Sequence, residues 1–266
     1  MSLPTSLYVP GNSWLHRLDA RVKLLFALLS VLALLTLGSF SLFVVFLGLC
    51  HVALLSARIP PARLAWAWRL MLPITILIPL LWPLFASEPG PLLLQLGPLT
   101  VTWPALWRGL AMAARVDAMA FACFVWLLTT DQTHIVLSCT GLGLPYEWGL
   151  ILAIALRYIP TLHALYGQVM DAQYARGLVI PRTDPLRAAR AYLPALVPML
   201  ISALRTAENL ARSLEARAFG APGRQRTVRR ALHFTPIDAL ALGVIVVSLG
   251  GLVVARLMWG FGRGPL

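Results

Sequence analysis

Between Lys23 and Arg58 the chain reads LLFALLSVLALLTLGSFSLFVVFLGLCHVALLSA, residues 24–57, without one Asp, Glu, Lys or Arg. These 34 residues exceed the ~20 that one helix needs to cross a bilayer. Gly38-Ser39 interrupts the run near its middle, so it predicts two crossing helices, about 24–37 and about 40–56, joined by a tight turn. A secretory signal would be shorter and would lead through a cleavage site into polar sequence, so the N-terminus is expected to be retained. The fold class to expect is an all-α membrane protein.

Composition points the same way. Of 266 residues, 59% are hydrophobic and 12% charged, and the mean hydropathy is +0.79, outside the range of ordinary soluble domains. The net charge of +12 comes from 21 arginines and one lysine against ten acids. In so apolar a chain this excess reads as the positive charge of cytoplasmic loops and not as a nucleic-acid surface. Cys50, Cys123 and Cys139 are far apart and unpaired in spacing, which suggests neither a disulfide framework nor a zinc site.

Outward from the opening run, His16, Arg17, Asp19, Arg21 and Lys23 precede it, and Arg58, Arg63 and Arg69 follow it together with Pro60-Pro61, Trp66 and Trp68. Both flanks are assigned to the cytoplasmic side. A third span is expected at about 70–86, bent by Pro73, Pro79 and Pro83. Residues 87–107 hold Glu88 but no Lys or Arg until Arg108, which puts them outside. Alternating Leu99, Val101 and Trp103, with turn signals at Pro89-Gly90 and Gly97-Pro98, predict a short hairpin or re-entrant piece there. The fourth span, about 105–128, carries Arg108, Arg115 and Asp117. Arg115 and Asp117 fall well inside it, where ionisable residues mark function, an Arg–Asp pair gluing helices, or a water-filled crevice.

From Thr129 to Thr235 the texture changes, with 12 of the 22 basic residues and six of the ten acids. The apolar pieces Trp148–Leu156 and Tyr192–Leu204 are shorter than a crossing helix and are read as interfacial or buried helices. Pro160 ends or kinks one helix, Asp184-Pro185 caps the start of another, and Pro194 and Pro198 bend it. Glu208 and Arg212 have the spacing of a helix-supporting ion pair. Arg224, Arg226, Arg229 and Arg230 precede a last apolar run, 237–255, and hold its start in the cytoplasm. Five spans then leave Arg256 and Arg263 awkwardly outside, a conflict that a further crossing near 148–160 would remove.

This polar segment contains a repeat. Ala175-Arg176-Gly177 is echoed 41 residues later by Ala216-Arg217-Ala218, with Gly220 beyond it. Each arginine ends an apolar stripe at three- and four-residue steps: Leu162, Leu165, Val169, Ala172, Arg176, and Ala203, Ala207, Leu210, Leu214, Arg217. One such end would be an ordinary helix stop, since the helix dipole favours a terminal cation and glycine follows many helices. Two of them predict amphipathic helices that each present one cation at the C-terminal tip.

Nucleotide and metal chemistry are missing from the pattern. A Walker loop needs Lys before Ser or Thr, and the single lysine, Lys23, precedes Leu24, so ATP hydrolysis by that mechanism would need another polypeptide. His16, His51, His134, His163 and His233 lack ligand spacing, and no serine sits in a nucleophile elbow. A secondary transporter would show several mid-membrane polar residues and repeated spans, and a membrane enzyme a convergent acid or histidine group. A conventional ABC permease would show one coupling loop in place of two arginine tips.

Taken together, several stretches resemble the transmembrane T component of energy-coupling-factor (ECF) transporters, the EcfT/CbiQ-like family of prokaryotic vitamin and transition-metal importers. They are Pro10-Gly11 through His16-Arg17-Leu18-Asp19, Lys23-Leu24-Leu25, Thr129-Thr130, and Ala155-Leu156-Arg157-Tyr158-Ile159-Pro160. The last two are Ala172-Gln173-Tyr174-Ala175-Arg176-Gly177 and Ser213-Leu214-Glu215-Ala216-Arg217-Ala218-Phe219-Gly220. The resemblance implies a non-catalytic subunit of about five to seven transmembrane helices. Its organisation would be a membrane part over 1–130, a coupling-helix domain over 131–235 and a last crossing over 236–266. It further implies that Arg176 and Arg217, within their tripeptides, dock on two ABC ATPase subunits that carry the ATP and magnesium, supported by Arg157, Pro160, Glu215 and Gly220. A small membrane subunit would bind the substrate, and this chain would contact lipid, bind no cofactor and sit in the cytoplasmic membrane with its N-terminus inside. The pattern assigns no role to Asp117.

Overall fold

A computed structural model describes residues 8–85, 90–96, 99–181, 184–219 and 234–259. Glu88, Pro89, Gly97-Pro98, Gly220, the arginines from Arg224 to Arg230 and Arg263 lie outside the described residues. The chain divides into two compact units, residues 1–149 with 232–266, and residues 150–231.

The first unit begins with α1 (Trp14–Arg17) and α2 (Ala20–Thr36), the latter capped by Asp19, whose carboxylate accepts the Arg21 N–H. The expected break at Gly38-Ser39 separates α2 from α3 (Phe40–Ser56). Helix α4 (Pro61–Phe85) starts nine residues before the expected span, because Pro61 suits the first helical turn, where its missing N–H costs nothing. Arg63, Trp66, Trp68 and Arg69 therefore sit on α4 and not on a preceding linker. The strands β1 (Leu92–Leu96) and β2 (Leu99–Thr102) pair antiparallel as the expected short hairpin. Helix α5 (Trp103–Thr129) and α6 (Gln132–Gly141) follow, and α10 (Pro236–Trp259) returns to the unit from the far end of the chain.

Helix α5 is the centre of this unit and packs against α2, α3 and α4. Its inward residues include Ala105, Gly109, Ala113, Ala118 and Ala122, and such small residues let apolar helices approach where lipid removes the usual hydrophobic drive. At Gly109 the approach is close, since a Cβ there would lie 2.8 Å from Pro79 Cα of α4. Larger side chains close the gaps at one end, where Phe121, Leu54, Leu128 and Ile59 form a core with the half-buried Trp66 and Trp68. Leu34, Leu37, Phe43 and Ala118 form a second core towards the other end of α2.

The second unit holds most of α7 (Tyr146–Ala175), with α8 (Pro185–Ala191) and α9 (Leu193–Ala216). Two expectations change here. Pro160 does not end α7, which runs through it for 30 residues, and Arg157 breaks the apolar count without breaking the helix. Pro194 starts α9 in place of bending one continuous helix, because proline removes an N–H and disfavours helical geometry in the residue before it. Asp184 caps α8 as expected, accepting the Arg187 N–H at 3.3 Å and pairing with its guanidinium at 3.2 Å. Glu208 and Arg212 are both exposed and form no ion pair, in keeping with the small gain from solvated pairs.

Among the described residues, four helices are long and apolar enough to cross a membrane: α4, α5, α7 and residues 236–258 of α10. Helix α7 thus has the length and hydropathy of a span, unlike the short interfacial piece expected at 148–156. Helices α2 and α3, at 17 residues each, sit at the lower limit of spanning length. The protein is an all-α membrane protein with one short hairpin.

Candidate functional site

The two arginine tips have the same backbone. At the end of α7, Gly177 N–H donates to Tyr174 O at 2.9 Å and Leu178 N–H to Gln173 O at 3.0 Å. At the end of α9, Ala218 N–H donates to Glu215 O at 2.8 Å and Phe219 N–H to Leu214 O at 3.0 Å. Both are Schellman closures, in which two late amides return to orphan carbonyls through one left-handed residue. That residue is Gly177 at φ +89 in the first and Ala218 at φ +57 in the second. The helix stop after the second tip is therefore Ala218, an alanine in a conformation that costs a side-chain-bearing residue roughly 1 kcal/mol.

Arg176 and Arg217 each occupy the cap position before the turn, and both are exposed. Neither guanidinium makes a hydrogen bond or ion pair with another described residue. A last-turn cation gains from the negative end of the helix dipole, and the closure fixes the point from which each guanidinium departs. Such a group offers five donors in a planar fork suited to carboxylate or carbonyl acceptors on a partner. Ala175, Ala216 and Glu215 lie in the last turns and are exposed, as are Arg157 and Pro160 within α7.

Another apolar face escaped the sequence reading. Leu193, Leu196, Val197, Leu200, Ile201 and Leu204 of α9 are between 46% and 63% exposed and recur at three- and one-residue steps on one side of the helix. The stripe that ends in Arg217 is more covered, with Ala203, Leu210 and Leu214 half-buried. The periodicity of 193–204 is the sequence signal of this second face, interrupted by Pro194 and Pro198.

In the first unit, Arg115 and Asp117 do not pair. Two residues apart on a helix, they point to different sides. The Arg115 Nε donates to Leu34 O at 2.8 Å and Nη2 to Leu37 O at 2.9 Å and to Leu35 O, so the guanidinium caps the C-terminus of α2. Asp117, 2% exposed, takes the Thr75 hydroxyl of α4 on both oxygens, at 2.9 and 3.0 Å. The expectation of an Arg–Asp glue is replaced by two separate inter-helix ties.

The N-terminal motif also acquires a physical role. Val9 N–H donates to Leu128 O, and His16 bridges Ser13 Oγ and Val9 O. Lys23 Nζ donates to His16 O at 3.2 Å and Thr129 O at 3.1 Å. The Asp19 N–H donates to Asp238 Oδ1 at 2.7 Å, while Asp238 Oδ2 takes both the amide and hydroxyl of Thr235. The residues from Val9 to Lys23 thus join the end of α5 to the starts of α2 and α10, and Asp238 is a hydrogen-bonding partner that no local signal exposed.

A polytopic helical membrane protein with two matching arginine-tipped helix ends is the class that fold and site define. The family model described as CbiQ, cobalt transport protein, matches residues 11–228. Relatives named energy-coupling factor transporter transmembrane protein EcfT include those of Thermosediminibacter oceani, 31% identical over 264 residues (95% of this chain, 97% of the relative), and of Leuconostoc gelidum subsp. gasicomitatum, 30% identical over 247 residues (90% and 91%). That of Heliobacterium modesticaldum is 31% identical over 264 residues, 95% of each chain. The chain belongs to the EcfT/CbiQ family of transmembrane components of energy-coupling factor transporters.

Proposed function

We propose that this chain couples two ABC ATPase subunits to a separate small membrane subunit that binds the substrate, a vitamin or a transition-metal ion. The observation that carries this reading is the pair of matching, exposed Arg176 and Arg217 tips. Two equivalent ends suit two equivalent grooves, one on each ATPase, with Arg157, Pro160, Glu215 and Gly220 supporting the helices that bear them. ATP and magnesium stay on the ATPases, and this chain takes no part in the chemistry. The segment 131–235 is the coupling region, with its two arginine tips on the cytoplasmic side of a prokaryotic inner membrane together with the N-terminus. The bare apolar face Leu193–Leu204 of α9 is the surface offered to the small membrane subunit. Movement of the ATPases on hydrolysis shifts the two tips and reorients that subunit.

The test is co-purification of the tagged chain from detergent-solubilised native membranes. Two P-loop ATPase subunits and a small hydrophobic protein are expected, with ATPase recovery reduced at least tenfold by Arg176→Ala with Arg217→Ala, since each removes a charge-assisted contact. Undiminished ATPase recovery and normal uptake in the double variant would sink the assignment.

A further inference from the structure

Arg256, left unexplained by the sequence, lies in the last turn of α10. Its Nη1 is buried and has no hydrogen-bond partner among the described residues. Leu252, one turn before Arg256, lines the same groove as Leu34 and Leu37, whose carbonyls Arg115 holds, and no ion pair joins either arginine to a carboxylate among the described residues. Two guanidinium charges are set against two helix C-termini there, α2 and α10, each worth about −0.5. The local sum is then about +1, a balance that one anion would close.

Directly beside these cations runs an apolar groove. Ala33 and Leu34 of α2 with Leu37 just past its end, Phe46 and Leu49 of α3, and Leu249 and Leu252 of α10 line it, and it holds about 80 Å³. Arg256 is four residues beyond Leu252, on the same face of α10. Leu34 and Leu37, which line the groove, are the residues whose carbonyls Arg115 holds. Cation pair and groove are therefore continuous along α2 and α10.

Depth adds an independent constraint. The Asp19–Asp238 contact marks one end of the parallel helices α2 and α10. Leu37 is 18 residues further along α2, about 27 Å at 1.5 Å per residue, close to the ~30 Å thickness of a bilayer's hydrocarbon. Arg115 and Arg256 thus lie at the headgroup level of the opposite leaflet, with the groove running back into the acyl region.

We infer that Arg115 and Arg256 hold the phosphate of an anionic phospholipid, a few methylenes of whose acyl chain pack into the groove lined by Leu34, Leu37, Leu249 and Leu252. The net charge of the ligand follows from the balance. A lipid such as phosphatidylglycerol, with one net negative charge, closes it, whereas phosphatidylethanolamine brings its own cation. The site is independent of the ATPase-docking reading.

The full chain, purified in detergent and depleted of lipid, is titrated with phosphatidylglycerol and the bound species is counted by native mass spectrometry. Phosphatidylglycerol is expected to bind wild type about tenfold more tightly than diacylglycerol, which lacks the phosphate. Arg256→Gln is expected to lose that tenfold, Arg256→Lys only part of it, and Leu249→Trp to weaken binding by filling the groove with both cations intact. Inorganic phosphate at equal concentration is expected not to compete. Equal affinity of wild type for phosphatidylglycerol and diacylglycerol would overturn the proposal without recourse to any variant. Displacement by inorganic phosphate would also overturn it, since the site would then be one for free anions. So would unchanged phosphatidylglycerol affinity in folded Arg256→Gln.

Discussion

Replacing Arg115 with leucine tests the separation between membrane scaffold and docking tips. The guanidinium donates to three carbonyls at the end of α2, those of Leu34, Leu35 and Leu37, and lies 5.6 Å from the ring centre of Phe43. Hydrogen bonds to a charged group contribute about 1.5–3 kcal/mol each in water-soluble proteins. Inter-helix polar bonds in membranes average only about 0.6 kcal/mol, because the separated helices also find partners. The α2 terminus lies near an interface where water replaces part of the loss, so about 1 kcal/mol per bond, or about 3 kcal/mol in all, is a reasonable working value. For a chain of this size that corresponds to a fall in Tm of roughly 6–12 °C. The assay is loss of the monodisperse peak on heating in detergent, read beside ATPase recovery from the same preparation at a temperature where the variant remains folded. Arg115→Leu is expected to melt early yet retain ATPase binding, and Arg115→Lys to fall between, since a point charge reaches fewer carbonyls than a fork. A variant of wild-type Tm that has lost its ATPases would refute the reasoning.

The left-handed residues of the two tips should differ in their tolerance of substitution. Gly177→Val, forced to φ near +89, is expected to lower ATPase recovery as well as Tm, while Ala218→Gly leaves both within error because relief of strain is offset by a freer unfolded chain; equal damage from both would contradict the shared closure. Asp238→Ala removes the acceptor of the Asp19 amide and of two Thr235 donors. It should cost about 3 kcal/mol and selectively raise hydrogen exchange at the starts of α2 and α10, an effect that uniform exchange along both helices would disprove.

Much of the membrane architecture follows from local properties of the chain. The charge-free run 24–57 and its Gly38-Ser39 break predict α2 and α3 to within a few residues, because crossing a bilayer demands length and apolarity that any window of sequence displays. The Asp184 cap, the 92–102 hairpin and the two arginine-tipped ends are also local, each being decided by backbone hydrogen bonds within six residues or across one turn. Their duplication at Arg176 and Arg217 was visible in the sequence, and the shared left-handed closure that includes Ala218 was not, since alanine gives no warning of positive φ. The apolar run of α7 stops at Arg157 and so suggests a short piece, although the helix continues through Arg157 and Pro160 with the hydropathy of a span. What only the tertiary structure decided is the partner of each buried polar group. Arg115 finds carbonyls some 80 residues away, Asp117 a threonine 42 residues away, and Asp19 meets Asp238 across 219 residues. A buried charge must be satisfied by something, so the sequence announces that a partner exists. Which one it is depends on the faces that packing around α5 brings together, and that choice is a property of the assembled helices.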